Sequence, residues 1–226
     1  MARQSYQEQL DGLRSDALYM SEVVTDRLRL ALTALEQKDP DQARQVIEGD
    51  DEVNELYLEL EGECVDLLAL QQPVAGDLRF IAATFKIITD LERIGDLAVN
   101  LADYTLEAKR DMFPEVDIQT IGTRTVEMVE AAMDAYAEEN AEGCFAIADQ
   151  DDDLDELCRQ ASETVVRDLI EREIEPDTTE REIETLMADV SRLLLTIRDL
   201  ERVGDHAVNV AARTLYMVEN DDALIY

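Results

Sequence analysis

Glu92, Asp96 and Asn100 stand four residues apart, and Glu201, Asp205 and Asn209 repeat that spacing 109 positions later. Residues four apart on a helix share a face, so each set is a stripe of oxygen-bearing side chains. Like charges at this spacing repel by a few tenths of a kcal/mol per pair. A hard or borderline cation removes that repulsion. Each stripe has a candidate partner at the same spacing, Asp51 with Glu55 and Asp152 with Glu156. Two facing helices of this kind give four or more carboxylates around a shared volume, room for more than one metal ion. The predicted ligand sets are therefore Asp51, Glu55, Glu92, Asp96 and Asn100, and Asp152, Glu156, Glu201, Asp205 and Asn209. The competing reading is chance: with 54 Asp and Glu in 226 residues, acid pairs at this spacing are frequent. Arg93 and Arg202 would then hold the acids in surface ion pairs worth little.

The stripes sit inside a longer repeat. DLERIGDLAVNLA at 90–102 and DLERVGDHAVNVA at 199–211 agree at ten of thirteen positions. Turned at about 100° per residue, the acids lie roughly opposite Ile87, Leu91, Ile94, Ala98 and Leu101. The stripe therefore belongs outside a bundle core or between bundles. Gly95 and Gly204 fall within the same helices, where glycine costs about 1 kcal/mol against alanine. Their repetition predicts a close approach by another helix or a ligand. His206, the only histidine, replaces Leu97 of the first copy and reads as a packed or flanking side chain.

The elements that carry these residues are helical throughout. Apolar residues recur at steps of three and four from about Gln4 to Lys38 (Leu10, Leu13, Ala17, Met20, Val24, Leu28, Ala31 and Leu35). Asp39-Pro40-Asp41 opens a second helix that runs to about Gln71 with Val46, Val53, Leu56, Leu60 and Leu67 inward. A third, about Asp77 to Arg110, bears the first motif. Phe113-Pro114-Glu115 is the predicted domain boundary, dividing the chain into 1–113 and 114–226. Further helices follow at about Val116–Glu139 and Glu142–Ile174, and a last one from a Thr179…Glu182 capping box to about Asn220. The fold class is all-α: two tandem antiparallel three-helix bundles related by internal duplication, elongated because the helices are long.

Composition narrows the partners. Acids outnumber bases 54 to 20, for a net charge of −34. Phosphate backbones and anionic membrane surfaces are repelled by such a chain. The bases are 17 Arg and only Lys38, Lys86 and Lys109, a pattern that suits a cytoplasm of molar salt, where the Debye length falls to about 3 Å. Cys64, Cys144 and Cys158 show neither a disulfide framework nor zinc spacing, and read as buried apolar residues. No apolar run approaches the length of a membrane span, and the opening residues are polar. The expectation is a cytoplasmic protein.

The doubled DLERxGDxAVN motif, each on the last helix of a three-helix unit, resembles the PhoU family of phosphate-uptake regulators, as does Gln72-Pro73-Val74-Ala75-Gly76-Asp77-Leu78-Arg79. The lysine-poor surface points to a halophilic archaeal member. The resemblance implies tandem bundles, iron- or zinc-type clusters on their surface and no enzymatic activity. It also implies negative regulation of a high-affinity phosphate ABC transporter through its cytoplasmic components, with a phosphate-signalling protein as a further partner. Two other readings stand beside it. One is a metal-free acidic scaffold. The other is a carboxylate-bridged di-metal enzyme, which the single histidine and outward stripes disfavour. A homodimer is expected, with Ile88 and Val99 as outward apolar residues.

Overall fold

The computed structural model describes residues 2–70, 73–107, 116–171 and 179–225. Seven helices make up the described chain: α1 Ala2–Gln37, α2 Pro40–Glu48, α3 Asp50–Leu70, α4 Ala75–Glu107, α5 Ile118–Glu138, α6 Ala141–Glu171 and α7 Glu180–Glu219. The described residues contain no strand. The expected boundary at Phe113-Pro114-Glu115 lies outside them.

The apolar stripes form the core as expected. Leu13, Ala17, Met20, Val24, Leu28 and Ala31 of α1 are fully buried, with Val46, Val53, Leu60, Cys64 and Leu67 from α2 and α3. Leu35 and Leu56 are only half-buried. The helix starts also follow the sequence. Asp39 caps α2 by accepting from the backbone N–H groups of Asp41 and Gln42, and Thr179 forms a full capping box with Glu182 at α7.

One expected helix is two. The segment from Pro40 breaks at Gly49 into α2 and α3. The Arg27 guanidinium fills the space a side chain would need there, with Nη1 only 1.6 Å from an ideal Cβ. Arg27 then pairs with Glu52 of α3 at 2.5 Å. The second repeat carries Gln150 at the matching place, and α6 runs through unbroken.

The bundles lie side by side and share one apolar core. α4 and α7 run antiparallel across the seam, which is why Asp90 meets Asn209 while Asp199 meets Asn100. α1 and α5 close the second side, where Leu32 leaves no room for a Cβ at Gly122 and Arg14 reaches Glu139 at 2.5 Å. This pairing spends apolar surface that would otherwise face outward. Ile88 is fully buried and Val99 half-buried, so neither supplies the outward dimer surface expected of it. All three cysteines are buried and free, and burial pushes their thiols up, to about 12 for Cys64 and Cys158 and about 11 for Cys144.

Candidate metal centre

Each motif glycine lies where two helices of one bundle approach closely. A Cβ on Gly95 would meet Val53 Cγ1 of α3 at 3.1 Å. A Cβ on Gly204 would meet Leu154 Cδ2 of α6 at 2.4 Å and Asp151 Oδ1 at 3.2 Å. The predicted close approach is therefore helix against helix. It brings the motif acids of α4 and α7 beside the start of α3 and the middle of α6.

In the first bundle the acids that gather are Glu92, Asp96 and Asp50. Burial raises the Glu92 carboxyl above its usual range, then Asp96 and Asp50, against the opposing pull of Arg93 and His206. Burial and then Asp50 raise Asp96, with Arg93 and Arg202 opposing. Asn54 completes the group by donating its Nδ2 to Asp50 Oδ2 at 2.8 Å.

The second bundle repeats the arrangement with more charge. Burial pushes Asp151 up to about 6, helped by Asp155, Asp205, Asp152 and Glu201 in that order. Asp155 and Glu201 are raised too, each by burial first and then by neighbouring carboxylates. Asp151 Oδ1 is buried and accepts no hydrogen bond. This centre is a set of four carboxylates from two helices, Asp151 and Asp155 of α6 with Glu201 and Asp205 of α7.

The facing register on α3 and α6 is thus one residue earlier than spacing suggested. Asp51 and Glu55 lie on the exposed side of α3. Asp152 is exposed, as Asp155 and Asp205 are, and its charge raises Asp151 after those of Asp155 and Asp205. Glu156 points away, accepting from Arg159 Nε at 2.8 Å, Arg159 Nη2 at 2.6 Å and Gln160 at 2.6 Å. Those hydrogen bonds lower its carboxyl to about 2. The phase of the helix held the signal: Asp50 and Asn54 flank buried Val53, and Asp151 and Asp155 flank buried Leu154, whereas Asp51 and Glu55 fall nearly opposite Val53.

Asn100 and Asn209 serve the seam instead. Asn100 Nδ2 donates to Asp199 Oδ2 at 3.2 Å, and Asn209 Nδ2 donates to Asp90 Oδ1 at 3.4 Å. Tyr104 adds a hydroxyl to Asp199 at 2.8 Å, and Arg202 an Nη1 to the other oxygen at 3.4 Å. His206 Nδ1 sits 2.9 Å from Asp90 Oδ1, a flanking histidine as the sequence suggested. Asp90 and Asp199 were both visible as the first letter of the repeated motif, but their partners come from the other bundle.

As the side chains stand, no three His, Cys, Asp or Glu of the described residues converge to hold a metal ion. Within the second set Asp151 Oδ1 is buried and unpartnered, and the neighbouring carboxylates add to the effect of burial on its carboxyl. The all-oxygen donor set suits a hard or borderline ion.

Comparison with known proteins places these features in a wider set. Residues 18–105 and 118–214 each match the family described as PhoU domain. The phosphate-specific transport system accessory protein PhoU homolog of Pseudomonas aeruginosa is 33% identical over 222 residues, spanning 97% of this chain and 87% of its own. The PhoU protein of the same name class from Escherichia coli is 30% identical, over 96% of this chain and 86% of its own. The crystal structure of Pseudomonas aeruginosa PhoU superposes with a TM-score of 0.85 at 31% identity, covering 96% of this chain and 100% of that one. A phosphate transport system regulatory protein PhoU from Streptococcus pneumoniae gives 0.86 at 25% identity, covering 96% and 98%.

Proposed function

The chain belongs to the PhoU family, and on that premise we propose that it is a non-enzymatic accessory protein of a phosphate-specific transport system, acting as a negative regulator of phosphate uptake. What carries the reading is the doubled motif, held in one seam-linked pair of bundles over nearly the whole length of relatives that bear the accessory name. Its partners are the cytoplasmic components of a phosphate ABC transporter, with a phosphate-signalling protein as a second contact, and its place is the cytoplasm. No described helix is long and apolar enough to cross a membrane, which suits contact with a transporter's soluble parts. Deletion of the gene is expected to free uptake from control at high phosphate. Identical uptake by deleted and parental cells at both high and low phosphate would sink the reading.

The reading includes divalent iron or zinc at the duplicated centres. Asp151, Asp155, Glu201 and Asp205 would hold it in the second bundle, and Asp50, Glu92 and Asp96 in the first. A bound ion would offset the carboxylate repulsion and present a Lewis-acidic point on the surface. The protein's own residues fix the helices: Gly204 lets α6 and α7 approach, and Leu154, fully buried, seats beneath the acids. Elemental analysis of protein purified without chelator tests this. Metal at background level would remove the ions and leave the regulatory role standing.

A homodimer is the oligomer we propose. Leu58, Val65, Val166 and Ile170 are exposed apolar residues on α3 and α6, and they replace Ile88 and Val99 as its motive. A monomeric mass in 1 M KCl would remove it.

A further inference from the structure

Two arginines from the same position of the repeated motif meet in one cavity. Arg93 and Arg202 line a space of about 240 Å³ in the seam of α4 and α7, with Asp96, Leu97, Val99 and Asn100 as its other walls. We propose that this cavity binds inorganic hydrogen phosphate. The guanidiniums of Arg93 and Arg202 and the Asn100 amide donate to it, and Asp96 accepts a hydrogen bond from its hydroxyl. The site goes beyond the regulatory reading and needs neither that reading nor a metal ion.

The donors are open to a ligand. A guanidinium carries five N–H donors in a flat fork that matches an oxyanion. Arg93 is exposed, and among the described residues it makes no hydrogen bond or ion pair. Arg202 gives one long contact, from Nη1 to Asp199 Oδ1 at 3.4 Å, which leaves its Nε and Nη2 unspent. Asn100 Nδ2 spends one hydrogen on Asp199 and keeps the other. The wall between them is apolar, with Leu97 buried and Val99 half-buried. Charge-assisted hydrogen bonds beside such a wall are stronger than in open water.

Asp96 decides which anion fits. Both arginine charges reach it, so the three groups lie close together. An ionised carboxylate only accepts. It repels an anion that has no proton and takes a hydrogen bond from one that has a hydroxyl. Inorganic phosphate keeps a hydroxyl at neutral pH. Sulfate has none, and a phosphomonoester loses its last one at about pH 6. The cavity's size points the same way, because sites for larger organic ligands span roughly 300–1,000 Å³. The net charge of −34 opposes any anion at long range, but in 1 M salt the Debye length is about 3 Å and the local arginines decide.

The test is equilibrium dialysis of radiolabelled inorganic phosphate against the full-length protein, in 1 M KCl at pH 8, with and without chelator. Wild type is expected to bind at a single site per chain in both conditions, with sulfate and glycerol phosphate competing at least tenfold more weakly. Arg93→Gln should weaken phosphate binding at least tenfold. Asp96→Asn should strengthen sulfate binding at least tenfold, a gain that a misfolded protein could not give. Absence of bound phosphate in the wild type overturns the proposal, as does binding that Arg93→Gln leaves unchanged. Sulfate bound as tightly as phosphate, and unmoved by Asp96→Asn, overturns it as well. Phosphate bound only without chelator places the anion on a metal ion instead of the arginines and overturns it too. Each of these outcomes leaves the regulatory reading to the uptake experiment.

Discussion

Asn100 of the first bundle donates to Asp199 of the second, and Asn209 of the second donates to Asp90 of the first. The same two motif positions therefore meet twice across the seam, related by the internal duplication. Asn100 and Asn209, each of which the sequence offers as the end of a ligand stripe, belong in space to a clamp between the bundles. The clamp is lopsided. Asp199 is 1% exposed and also receives Tyr104 and Arg202, whereas Asp90 is half-buried and shares its contacts with His206.

Truncating the buried side of the clamp should cost most. Asp199→Ala leaves Asn100, Tyr104 and Arg202 without their acceptor, and unfolding in urea should show a loss of roughly 2–4 kcal/mol. Asp90→Ala, at the more open mate, should lose less than half as much. Equal losses would mean that the two halves of the seam are energetically alike.

Protonation should relieve the second centre. Asp151 has a folded pKa of about 6, above the usual carboxylate value near 3.9. Between those two values the folded state binds more protons than the unfolded one, so this group's contribution to stability falls as pH rises from about 4 to 6. Asp151→Asn removes that penalty. In the presence of chelator the variant should be more stable than wild type at pH 7 by about 1 kcal/mol, after allowance for solvent screening. The gap should close as the pH approaches 4. A gap that widens on acidification would contradict the sign.

Alanine at the two motif glycines should behave differently. Both substitutions gain about 1 kcal/mol of helix propensity. At Gly204 the new methyl lands 2.4 Å from Leu154 Cδ2 and 3.2 Å from Asp151 Oδ1, and overpacking of this kind costs about 1–3 kcal/mol. At Gly95 it meets Val53 at 3.1 Å, a contact that a small shift relieves. Thermal melts should therefore rank Gly204→Ala below Gly95→Ala. The reverse order would show that α6 can move away from α7 more easily than α3 from α4.

At the far end of the seam Arg14 packs over two rings. Its guanidinium carbon lies 5.0 Å from the Phe80 centroid and 5.6 Å from that of Tyr136, and its nitrogens reach Ala137 O at 3.3 Å and Glu139 at 2.5 Å. Arg14→Lys keeps the charge but loses the flat, forked group that serves rings and oxygens together. Denaturant unfolding should show a loss of about 1–2 kcal/mol for Arg14→Lys, with Arg14→Ala losing more. Indistinguishable wild type and Arg14→Lys would reduce the site to a simple charge contact.

Much of the architecture is legible in the sequence. Steps of three and four put Leu13, Met20, Val24 and Leu28 on one face, and that face is the core of the first bundle. Asp39-Pro40 and Thr179…Glu182 marked helix starts because side-chain acceptors there satisfy backbone donors locally. The glycines at 95 and 204 flagged a close approach because their cost is paid within the helix itself. The break at Gly49 was not legible. It depends on Arg27, 22 positions away in the chain, occupying the space beside it.

The sequence by itself determined the helices, the duplication and the fact that acids repeat at fixed places. Each of these follows from local periodicity or from identity along the chain. Only the tertiary structure decided what the acids face. A helix has many i, i+4 pairs, and spacing alone does not say which one turns toward a neighbour. Packing of Val53 and Leu154 beneath the motif glycines selects Asp50 and Asn54 over Asp51 and Glu55, and Asp151 and Asp155 over Asp152 and Glu156. The antiparallel seam of α4 and α7 likewise takes Asn100 and Asn209 away from the carboxylates and gives them to Asp199 and Asp90. Those choices rest on contacts between residues far apart in the chain, Val53 with Gly95 and Leu154 with Gly204 within a bundle and Asn100 with Asp199 across the seam, and such contacts exist only once the chain has folded.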